Sequence, residues 1–383
     1  MQRIITGNIV LTDRVVYGDL VIEDDKIKSI RVQDPAKENA DIIVPGFLDI
    51  HFHGIGPYGV LTAEDIAGIA AFEPRNGVTV FTPAMGACPW EMMLDFLRTT
   101  RELASSRKKG CAVCAGSHLE GPWLEYEHRG GMGKDMLAVP DDEILDKVIE
   151  TAAGTLKLVT LAPDIENGLL AVEKLSSSGC TVSIGHSGAA PEVFSRAVDA
   201  GLSHVCHLFD AYSPRPVKEG VTQYCLADAC LMEDRVTVEL ICDGFHVPVE
   251  LIKLAVRLAG VDRIVTITDS MQGTGLPNGT YLQEDGTYYY LDNESVCRAV
   301  DGGGIVGSCL TMKQAFVNLV NKWGFSFVDA VKMTSTNPAK AIGLQNETGR
   351  FAEGFFADIN ILSPGTLELK ECIVRGESCF LAE

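Results

Sequence analysis

Short segments rich in β-branched residues alternate with longer amphipathic segments from residue 44 to residue 269. The eight candidate strands are 44–53, 78–85, 111–120, 156–163, 181–186, 204–209, 235–243 and 262–269. The candidate helices between them are 63–76, 90–108, 141–153, 166–178, 191–200 and 248–259. Alternation of strands and helices indicates a parallel sheet, and eight such repeats are what a (β/α)8 barrel requires. The sequence therefore predicts an α/β fold with a TIM-type barrel.

The two ends of the chain have a different pattern. Residues 1–43 form short pieces of alternating polar and apolar residues, which is typical of antiparallel strands. The same pattern returns at 357–362 and 371–376. We therefore expect a small β-sandwich domain built from residues 1–43 and 355–383, with the barrel at 44–354 inserted between its two parts.

After the eighth candidate strand the alternation stops. Residues 272–306 are irregular and rich in Gly and Tyr, which favours a hairpin that leaves the barrel. We expect helices at 311–323 and 326–335 to lead from this excursion back to the small β-domain.

The charge balance argues against some classes of partner. With 32 Lys+Arg against 52 Asp+Glu, the formal charge is −20, which disfavours nucleic acid or an anionic membrane. No apolar run reaches the roughly 18 residues of a membrane helix, and no signal pattern is seen near Met1. We therefore interpret the twelve cysteines as reduced thiols of a cytoplasmic protein, and Cys111 and Cys114 as core residues.

Most of the eight histidines stand near the ends of candidate strands. His51 and His53 are two residues apart on the first strand, so their side chains point to the same side. The other candidates at strand ends are His118, Glu120, His186, His204, His207, His246 and Asp269. A satisfied core histidine is the ordinary alternative for each residue taken singly. Because catalytic residues of such barrels come from the carboxyl ends of several strands, we expect these side chains to converge.

Imidazoles together with carboxylates are suitable ligands for Zn²⁺ and its first-row neighbours, which predicts a divalent metal site. A bound metal ion polarises a carbonyl group and lowers the pKa of water. A nearby carboxylate, for which Asp269 is the candidate, could take the proton of that water and deliver it to a leaving amine. The sequence therefore predicts hydrolysis of an amide or ester without a covalent intermediate.

These motifs resemble the amidohydrolase superfamily and, more closely, the N-acetylglucosamine-6-phosphate deacetylases, over nearly the whole chain. The superfamily motif is Pro45-Gly-Phe-Leu-Asp-Ile-His-Phe-His-Gly54. The narrower motifs are His118-Leu-Glu-Gly-Pro-Trp123, Gly185-His-Ser187, His207-Leu-Phe with Ser213-Pro214, Asp243-Gly-Phe-His246, Thr268-Asp269, Thr274-Gly-Leu-Pro277, Gly307-Ser-Cys-Leu-Thr-Met312 and Asn337-Pro-Ala339.

The resemblance implies a role for each matching residue. Glu120, His186 and His207 would hold one divalent metal ion, such as Zn, Fe or Mn. A second ion would be held by His51 and His53, with Glu120 as the bridge. His246 would hydrogen-bond a hydroxyl group of the sugar, and Asp269 would be the general acid/base. The resemblance also implies a homodimer.

The chain departs from the family pattern at three places. Met132 stands where the family usually has a histidine that contacts the acyl carbonyl. Asp210, followed by Ala211, replaces an asparagine in the loop that usually helps to bind the phosphate. Lys218 stands where the family has an arginine that reaches the phosphate of a neighbouring subunit, with Arg215 close by. A carboxylate near a phosphate is repulsive, so Asp210 bears directly on substrate choice.

We therefore expect removal of the acetyl group from N-acetylglucosamine 6-phosphate, giving glucosamine 6-phosphate and acetate. The alternatives are an amidohydrolase acting on another N-acyl sugar, of galactosamine type or unphosphorylated, or on a cyclic amide. A non-catalytic barrel that serves as a scaffold is disfavoured, because a degenerate scaffold would be expected to lose ligands and here all of them are present.

Overall fold

The computed structural model describes residues 2–282, 288–293, 296–300 and 304–382. The first strands are β1 (Gln2–Val10), β2 (Val15–Glu23), β3 (Lys26–Pro35) and β4 (Ile42–Pro45). β1 pairs antiparallel with β2 and parallel with β4, and β2 pairs antiparallel with β3. Alternate apolar side chains of these strands, among them Ile9 and Leu20, form a small core separate from that of the barrel.

The next strands are β5 (Phe47–Asp49), β6 (Val78–Phe81), β7 (Ala84–Met85), β8 (Val113–Cys114), β9 (Ser117–Glu120), β10 (Leu156–Leu161), β11 (Thr181–Ile184), β12 (His204–Val205), β13 (Val217–Lys218), β14 (Val221–Thr222), β15 (Thr237–Ile241) and β16 (Ile264–Ile267). All of them except the exposed hairpin of β13 and β14 belong to the barrel, in which neighbouring strands run parallel. Nearly all of their residues are buried, as expected for strands covered on both faces.

The barrel is closed by hydrogen bonds between its eighth and first strands. The backbone N–H of Asp269 donates to the carbonyl of His51 at 2.9 Å, and the N–H of His53 donates to the carbonyl of Ser270 at 2.7 Å. The predicted (β/α)8 barrel is therefore confirmed. Its second strand is divided near Pro83, which has no N–H to donate, and its third near Gly116 (φ 142°), where a Cβ would lie 1.9 Å from the carbonyl oxygen of Thr155.

The helices cover the outside of the barrel. They are α1 (Ala63–Phe72), α2 (Trp90–Ser105), α3 (Asp142–Ala152), α4 (Gly168–Ser177), α5 (Pro191–Asp199), α6 (Leu226–Met232), α7 (Val249–Ala259), α8 (Met312–Val317), α9 (Phe327–Val331) and α10 (Asn337–Ala341). Short 3-10 segments occur at Glu73–Asn76, Tyr126–His128, Lys134–Met136 and Val261–Arg263, and π-helical turns at Asn318–Lys322 and Lys332–Thr336. Side-chain caps fix some of the starts: Asp141, for example, accepts the N–H of Ile144 at 2.8 Å.

A four-stranded antiparallel sheet follows the eighth barrel strand. Its strands are β17 (Gly279–Leu282), β18 (Tyr288–Leu291), β19 (Cys297–Ala299) and β20 (Ile305–Gly307). The predicted hairpin excursion at 272–306 is therefore a larger unit than one hairpin, and parts of that range (283–287, 294–295 and 301–303) lie outside the described residues.

The C-terminal strands β21 (Ile359–Leu362), β22 (Leu369–Val374) and β23 (Glu377–Leu381) complete the terminal sheet. The strand order is β23-β22-β21-β4-β1-β2-β3, so the predicted small β-domain from both chain ends is confirmed, and its seven strands form one mixed sheet. Arg3 and Glu371 join the two ends through an ion pair of 2.6 Å. β4 leads through Gly46 directly into β5, so no linker separates the terminal sheet from the barrel at this point. The domain boundary at residues 43/44 stays a prediction.

None of the helices within the described ranges is long and apolar enough to cross a lipid bilayer. The twelve cysteines are present as free thiols. Cys111 and Cys114 are both buried, in keeping with a packing role. The cytoplasmic location of the protein stays a prediction.

Candidate active site

A cavity of about 590 Å³ opens at the carboxyl ends of the barrel strands. The predicted site residues in its lining are His53, Glu120, Met132, His186, His207, Asp210, Ala211 and Asp269. His51 is fully buried and contacts Glu120 and Asp269 from beneath the cavity. The structure therefore brings together candidates from the ends of the first, third, fifth, sixth and eighth barrel strands.

Glu120 is the centre of this group. Its Oε1 atom lies 3.0 Å from Nε2 of His186 and 2.9 Å from Nε2 of His207. The same oxygen lies 3.4 Å from Nε2 of His51, and the second oxygen lies 3.1 Å from Nε2 of His53. One carboxylate therefore contacts four imidazoles that come from three other strands.

These side chains fit a divalent metal ion. Two nitrogen ligands at about 2.05 Å from a tetrahedral ion lie roughly 3.3 Å apart, and Nε2 of His186 lies 3.2 Å from Nε2 of His207. Nε2 of His51 is buried and has no hydrogen-bond partner among the described residues. The sets of side chains whose ligand atoms lie within 4.8 Å of one another include His51 with Glu120, Cys206 and His207, and His51 with His53 and Asp269. The chain thus contains a buried metal-binding cluster.

The carboxylates of the cluster are held in their charged form. Burial alone would raise the pKa of Glu120, but the charge of His51 and the hydrogen bonds from neighbouring imidazoles hold that pKa well below its usual value. Burial acts in the same direction on Asp269, and there the contacts with His53 and His51 outweigh it and lower the pKa. Oδ1 of Asp269 lies 3.4 Å from Nε2 of His53. A charged carboxylate therefore stands beside the cluster as a proton acceptor.

The backbone is strained at several of these positions. His186 and Asp269 both have φ near 50°, and in the loop after the sixth strand Phe209 has φ 80° and Ala211 φ 56°. Residues with a Cβ rarely adopt such values, and strained conformations cluster at functional sites, where the surrounding structure enforces them. Two backbone hydrogen bonds hold Asp269 in this conformation. Its N–H donates to the carbonyl of His51, and its carbonyl accepts the N–H of Ser308 at 2.8 Å.

His246 borders the same region from the seventh strand. Its Nδ1 lies 2.6 Å from Oδ2 of Asp243, which fixes the ring. Its Nε2 is buried without a hydrogen-bond partner among the residues that the structure describes. Polar atoms of His246, Asp210 and Asp269 lie within 4.8 Å of one another. His246 is therefore placed to offer one ring nitrogen to a ligand held above Asp269.

The segment after the third strand covers one side of the cavity. His128 hydrogen-bonds Glu125 through one ring nitrogen, and its other ring nitrogen lies 2.8 Å from Oγ of Ser213. Its backbone carbonyl lies 2.8 Å from Nδ1 of His186, so that Nε2 of His186 faces Glu120. The ring of His128 is thus committed to the loop, although its backbone orients one of the candidate metal ligands.

Met132 and Arg129 belong to the same segment. The sulfur of Met132 lies 3.4 Å from the backbone nitrogen of Ala87, so this side chain packs against the loop that follows the second strand. Arg129 lies over the ring of Tyr126, with its guanidinium carbon 4.5 Å from the ring centroid. Arg129 lines the cavity, and no other lysine or arginine does so among the described residues. Within one chain, Arg129 is therefore the candidate basic side chain for contact with an anionic ligand in the cavity.

The other two basic candidates lie elsewhere. Arg215 is more than half exposed and forms an ion pair with Asp228. Lys218 is exposed on the β13–β14 hairpin. Neither of them lines the cavity. Their predicted contact with a substrate phosphate therefore stays a prediction.

His118 and His204, two of the histidines predicted at strand ends, do not join the cluster. Glu239 contacts the cluster and was not predicted. Nε2 of His118 lies 2.9 Å from Oγ1 of Thr160. Both ring nitrogens of His204 are engaged within the barrel interior, one of them with Glu239. Glu239 also contacts His51 and was missed, although a glutamate within the apolar run of β15 is itself a signal of a polar interior site.

Comparison with known proteins identifies the family. The model of the amidohydrolase family matches residues 42–379. An N-acetylglucosamine-6-phosphate deacetylase of Lysinibacillus sphaericus is 32% identical over 358 residues, which are 90% of this chain and 89% of the relative. An N-acetylgalactosamine-6-phosphate deacetylase of Escherichia coli O157:H7 is 29% identical over 343 residues, covering 89% of this chain and 88% of the relative.

A solved structure agrees with these relatives. It is a variant of the N-acetyl-D-glucosamine-6-phosphate deacetylase of Mycobacterium smegmatis in complex with N-acetyl-D-glucosamine-6-phosphate. It superposes with a TM-score of 0.89 at 28% identity and covers 99% of both chains. The chain therefore belongs to the amidohydrolase family, in its group of N-acetylglucosamine-6-phosphate deacetylase-like enzymes.

Proposed function

We propose that the protein removes the acetyl group from the 2-amino group of an N-acetylated amino-sugar 6-phosphate. The observation that carries this proposal is the contact of Glu120 with His186 and His207, at about 3 Å each, beside the charged Asp269. The family membership supports the same chemistry. N-acetylglucosamine 6-phosphate is the first candidate substrate, and the galactosamine epimer is the second, because a relative acting on it matches nearly as well.

The reaction adds water across an amide: a C–O bond forms at the acyl carbon, the C–N bond breaks, and one proton moves to the departing nitrogen. In our proposal Glu120, His186 and His207 would hold one metal ion, and His51 and His53 would hold a second. A divalent ion bound there would polarise the acyl carbonyl and lower the pKa of water. Asp269 would take a proton from water and deliver it to the departing amine.

Substrate orientation would fall to residues at the edge of the cavity. The free Nε2 of His246 can hydrogen-bond a sugar hydroxyl, since its ring is fixed by Asp243. Met132 cannot donate a hydrogen bond to the acyl oxygen, and both ring nitrogens of His128 are engaged. We therefore propose that carbonyl polarisation depends on the metal rather than on Met132 or His128.

The test of this function is release of acetate from a panel of substrates by metal-replete protein. The panel holds N-acetylglucosamine 6-phosphate, N-acetylgalactosamine 6-phosphate, both unphosphorylated sugars and a cyclic amide. We expect the phosphorylated sugars to have the largest kcat/KM, and we expect a chelator to abolish turnover. Turnover of the cyclic amide alone, or of none of them, would contradict the proposal.

We further propose that the protein is a homodimer that uses the segment from β13 to α6. Among the described residues, Val217, Val221, Tyr224 and Met232 of this segment are each more than half exposed. Several exposed apolar side chains in one segment make that segment a candidate contact surface. Sedimentation should give twice the chain mass of 41.3 kDa. Substituting Val217 and Val221 together with serine should weaken the dimer, and a wild-type monomer at micromolar concentration would contradict the proposal.

We propose that the negative charge of Asp210 weakens binding of a substrate phosphate in the cavity. At about 5 Å and an effective dielectric constant near 20, a unit charge pair costs roughly 3 kcal/mol before screening. Asp210 is partly exposed, and screening by solvent and salt leaves about 0.7 to 1.4 kcal/mol of this energy. We therefore expect Asp210→Asn to raise kcat/KM for the 6-phosphate relative to the unphosphorylated sugar by about threefold to tenfold. The measurement is the ratio of the two kcat/KM values in wild type and variant.

Glu127 provides the matched control, because it also lines the cavity and Glu127→Gln removes the same charge. If both variants change the ratio equally, the effect comes from the overall charge of the cavity and not from Asp210. A ratio that Asp210→Asn leaves unchanged would place the carboxylate away from the phosphate. A wild type that prefers the unphosphorylated sugar would in addition favour the alternative substrate.

A further inference from the structure

Glu239 is a buried carboxylate for which the proposed reaction has no direct use. It lies in the middle of β15, its side chain has no exposed surface, and it is absent from the cavity lining. A charged group taken out of water is costly unless it is fully hydrogen-bonded. Its contacts therefore indicate what the carboxylate does in the barrel.

Both oxygens of Glu239 are engaged. Oε2 lies 3.0 Å from Nδ1 of His51 and accepts the backbone N–H of His207 at 3.1 Å. Oε1 lies 2.9 Å from Nε2 of His204. The far side of the His204 ring is fixed in turn, since its Nδ1 lies 2.6 Å from Oγ1 of Thr237. The carboxylate is thus held in one position and contacts two residues that the proposed function assigns to the metal centre.

The contact with His51 has a consequence for the ring. A carboxylate accepts but does not donate, so Nδ1 of His51 carries the hydrogen in that bond. In the neutral ring that a metal ion would bind, the lone pair is then on Nε2, which lies 3.4 Å from Oε1 of Glu120 and 3.8 Å from Oδ1 of Asp269. Glu239 therefore selects both the tautomer and the orientation that aim Nε2 at the metal cluster.

We propose that Glu239 is a positioning residue for the metal centre. It fixes the ring of His51 through Nδ1 and the backbone of His207 through its N–H, and so joins the first and sixth strands behind the ligands. The inference rests on the proposed assignment of His51 as a metal ligand. Carboxylates that orient metal-bound imidazoles typically contribute 10-fold to 100-fold to metal affinity or activity.

The simpler alternative is that Glu239 only stabilises the barrel core. Glu239→Gln separates the two, because the amide has nearly the same shape but only one accepting oxygen. Either the ring of His51 or that of His204 then faces an NH2 group. A purely structural role predicts a less stable barrel with unchanged metal affinity. A positioning role predicts weaker metal binding even under conditions where the variant is fully folded.

The control is Glu73→Gln. Glu73 is as buried as Glu239, and its hydrogen-bond partner in the structure is Asn76, at 3.3 Å in the 3-10 segment after α1. It is absent from the lining of the cavity. Burial raises the pKa of Glu73 to about 8, so Glu73→Gln makes the same change of shape away from the metal cluster, in a carboxyl group that is largely neutral at pH 7. His51→Ala serves as the reference for complete loss of one ligand.

The experiment measures zinc affinity by competition with a chromogenic chelator, zinc stoichiometry after dialysis, and kcat and KM, on folded protein of each variant. We expect Glu239→Gln to bind one zinc ion about 10-fold to 100-fold more weakly. We also expect kcat to fall with little change of KM, and Glu73→Gln to bind zinc as the wild type does. Unfolding of the metal-free proteins, measured separately, reports any loss of core stability.

The outcomes are distinguishable. Weaker zinc binding in both His51→Ala and Glu239→Gln supports the proposal. Unchanged zinc affinity in Glu239→Gln while His51→Ala loses an ion overturns the positioning role and leaves the proposed function intact. Unchanged binding in His51→Ala overturns the ligand assignment and this inference with it. If Glu239→Gln does not fold, Glu239→Asp withdraws the carboxylate by about 1.5 Å, and zinc binding as tight as in the wild type would then overturn the proposal.

Discussion

Asp269→Asn is expected to fold, to keep largely its metal ion at Glu120, His186 and His207, and to lose about 10²-fold to 10⁴-fold in kcat, the usual contribution of a positioned acid/base. The carboxylate lies at the end of the eighth strand, 3.4 Å from Nε2 of His53, and it is charged. Asparagine keeps the shape and can accept a hydrogen bond, but it cannot take a proton from water or return it to the amine. The measurement is kcat with the preferred amino-sugar phosphate.

Metal content decides how this result is interpreted. The contacts of Glu120 with His186 and His207 do not involve Asp269, so the ion at that position should remain. A loss of metal in parallel with kcat would show that Asp269 acts mainly as a ligand. A decrease of kcat below tenfold with full metal content would assign the proton transfer to another group.

The barrel itself could be predicted because its signal is distributed over the chain. Eight buried strands separated by amphipathic helices leave few other arrangements, and the predicted strand positions agree with the structure within a few residues. The division of two strands at Pro83 and Gly116 could not be predicted with the same ease. The division at Gly116 depends on the close approach of the Thr155 carbonyl, which precedes the fourth strand and which a local pattern does not contain.

The site could be predicted in part, for a reason connected with barrel geometry. Alternation along a strand shows which side chains point inward, but it does not show the height at which they lie. His118 and Glu120 face the same way, yet His118 bonds Thr160 while Glu120 reaches the cavity. His204 and Glu239 likewise lie in the interior beneath the metal cluster. A sequence therefore indicates inward-facing groups more readily than the layer that each group occupies.

Contacts made by loops were the least predictable. The family resemblance links Lys218, with Arg215 close by, to the phosphate of a neighbouring subunit, and this contact stays a prediction. In the structure the loop turns outward after Tyr212, whose hydroxyl donates to the carbonyls of Ile184 and Cys206. The position of a loop side chain depends on such tertiary contacts, and the sequence pattern alone does not show them.

His207→Ala should lose both the metal ion at Glu120 and the activity. Nε2 of His207 lies 2.9 Å from Oε1 of Glu120 and 3.2 Å from Nε2 of His186. Removal of this ring leaves Glu120 and His186 as the two remaining ligands of the three that we propose for this ion. Because metal polarisation of a carbonyl contributes several kcal/mol, we expect kcat/KM to fall by roughly 10³-fold or more. Atomic absorption after dialysis measures the metal, and acetate release measures the activity.

His246→Asn separates loss of metal from loss of substrate contact. His246 lies in the same region but is fixed by Asp243 and not by Glu120, so the variant should keep its metal while KM rises. The comparison with His207→Ala therefore assigns each histidine to the ion or to the sugar. The proposed mechanism would be wrong if His207→Ala kept both its metal and its rate. It would also be wrong if protein stripped of metal still released acetate, because the charged Asp269 alone offers nothing to polarise the acyl carbonyl.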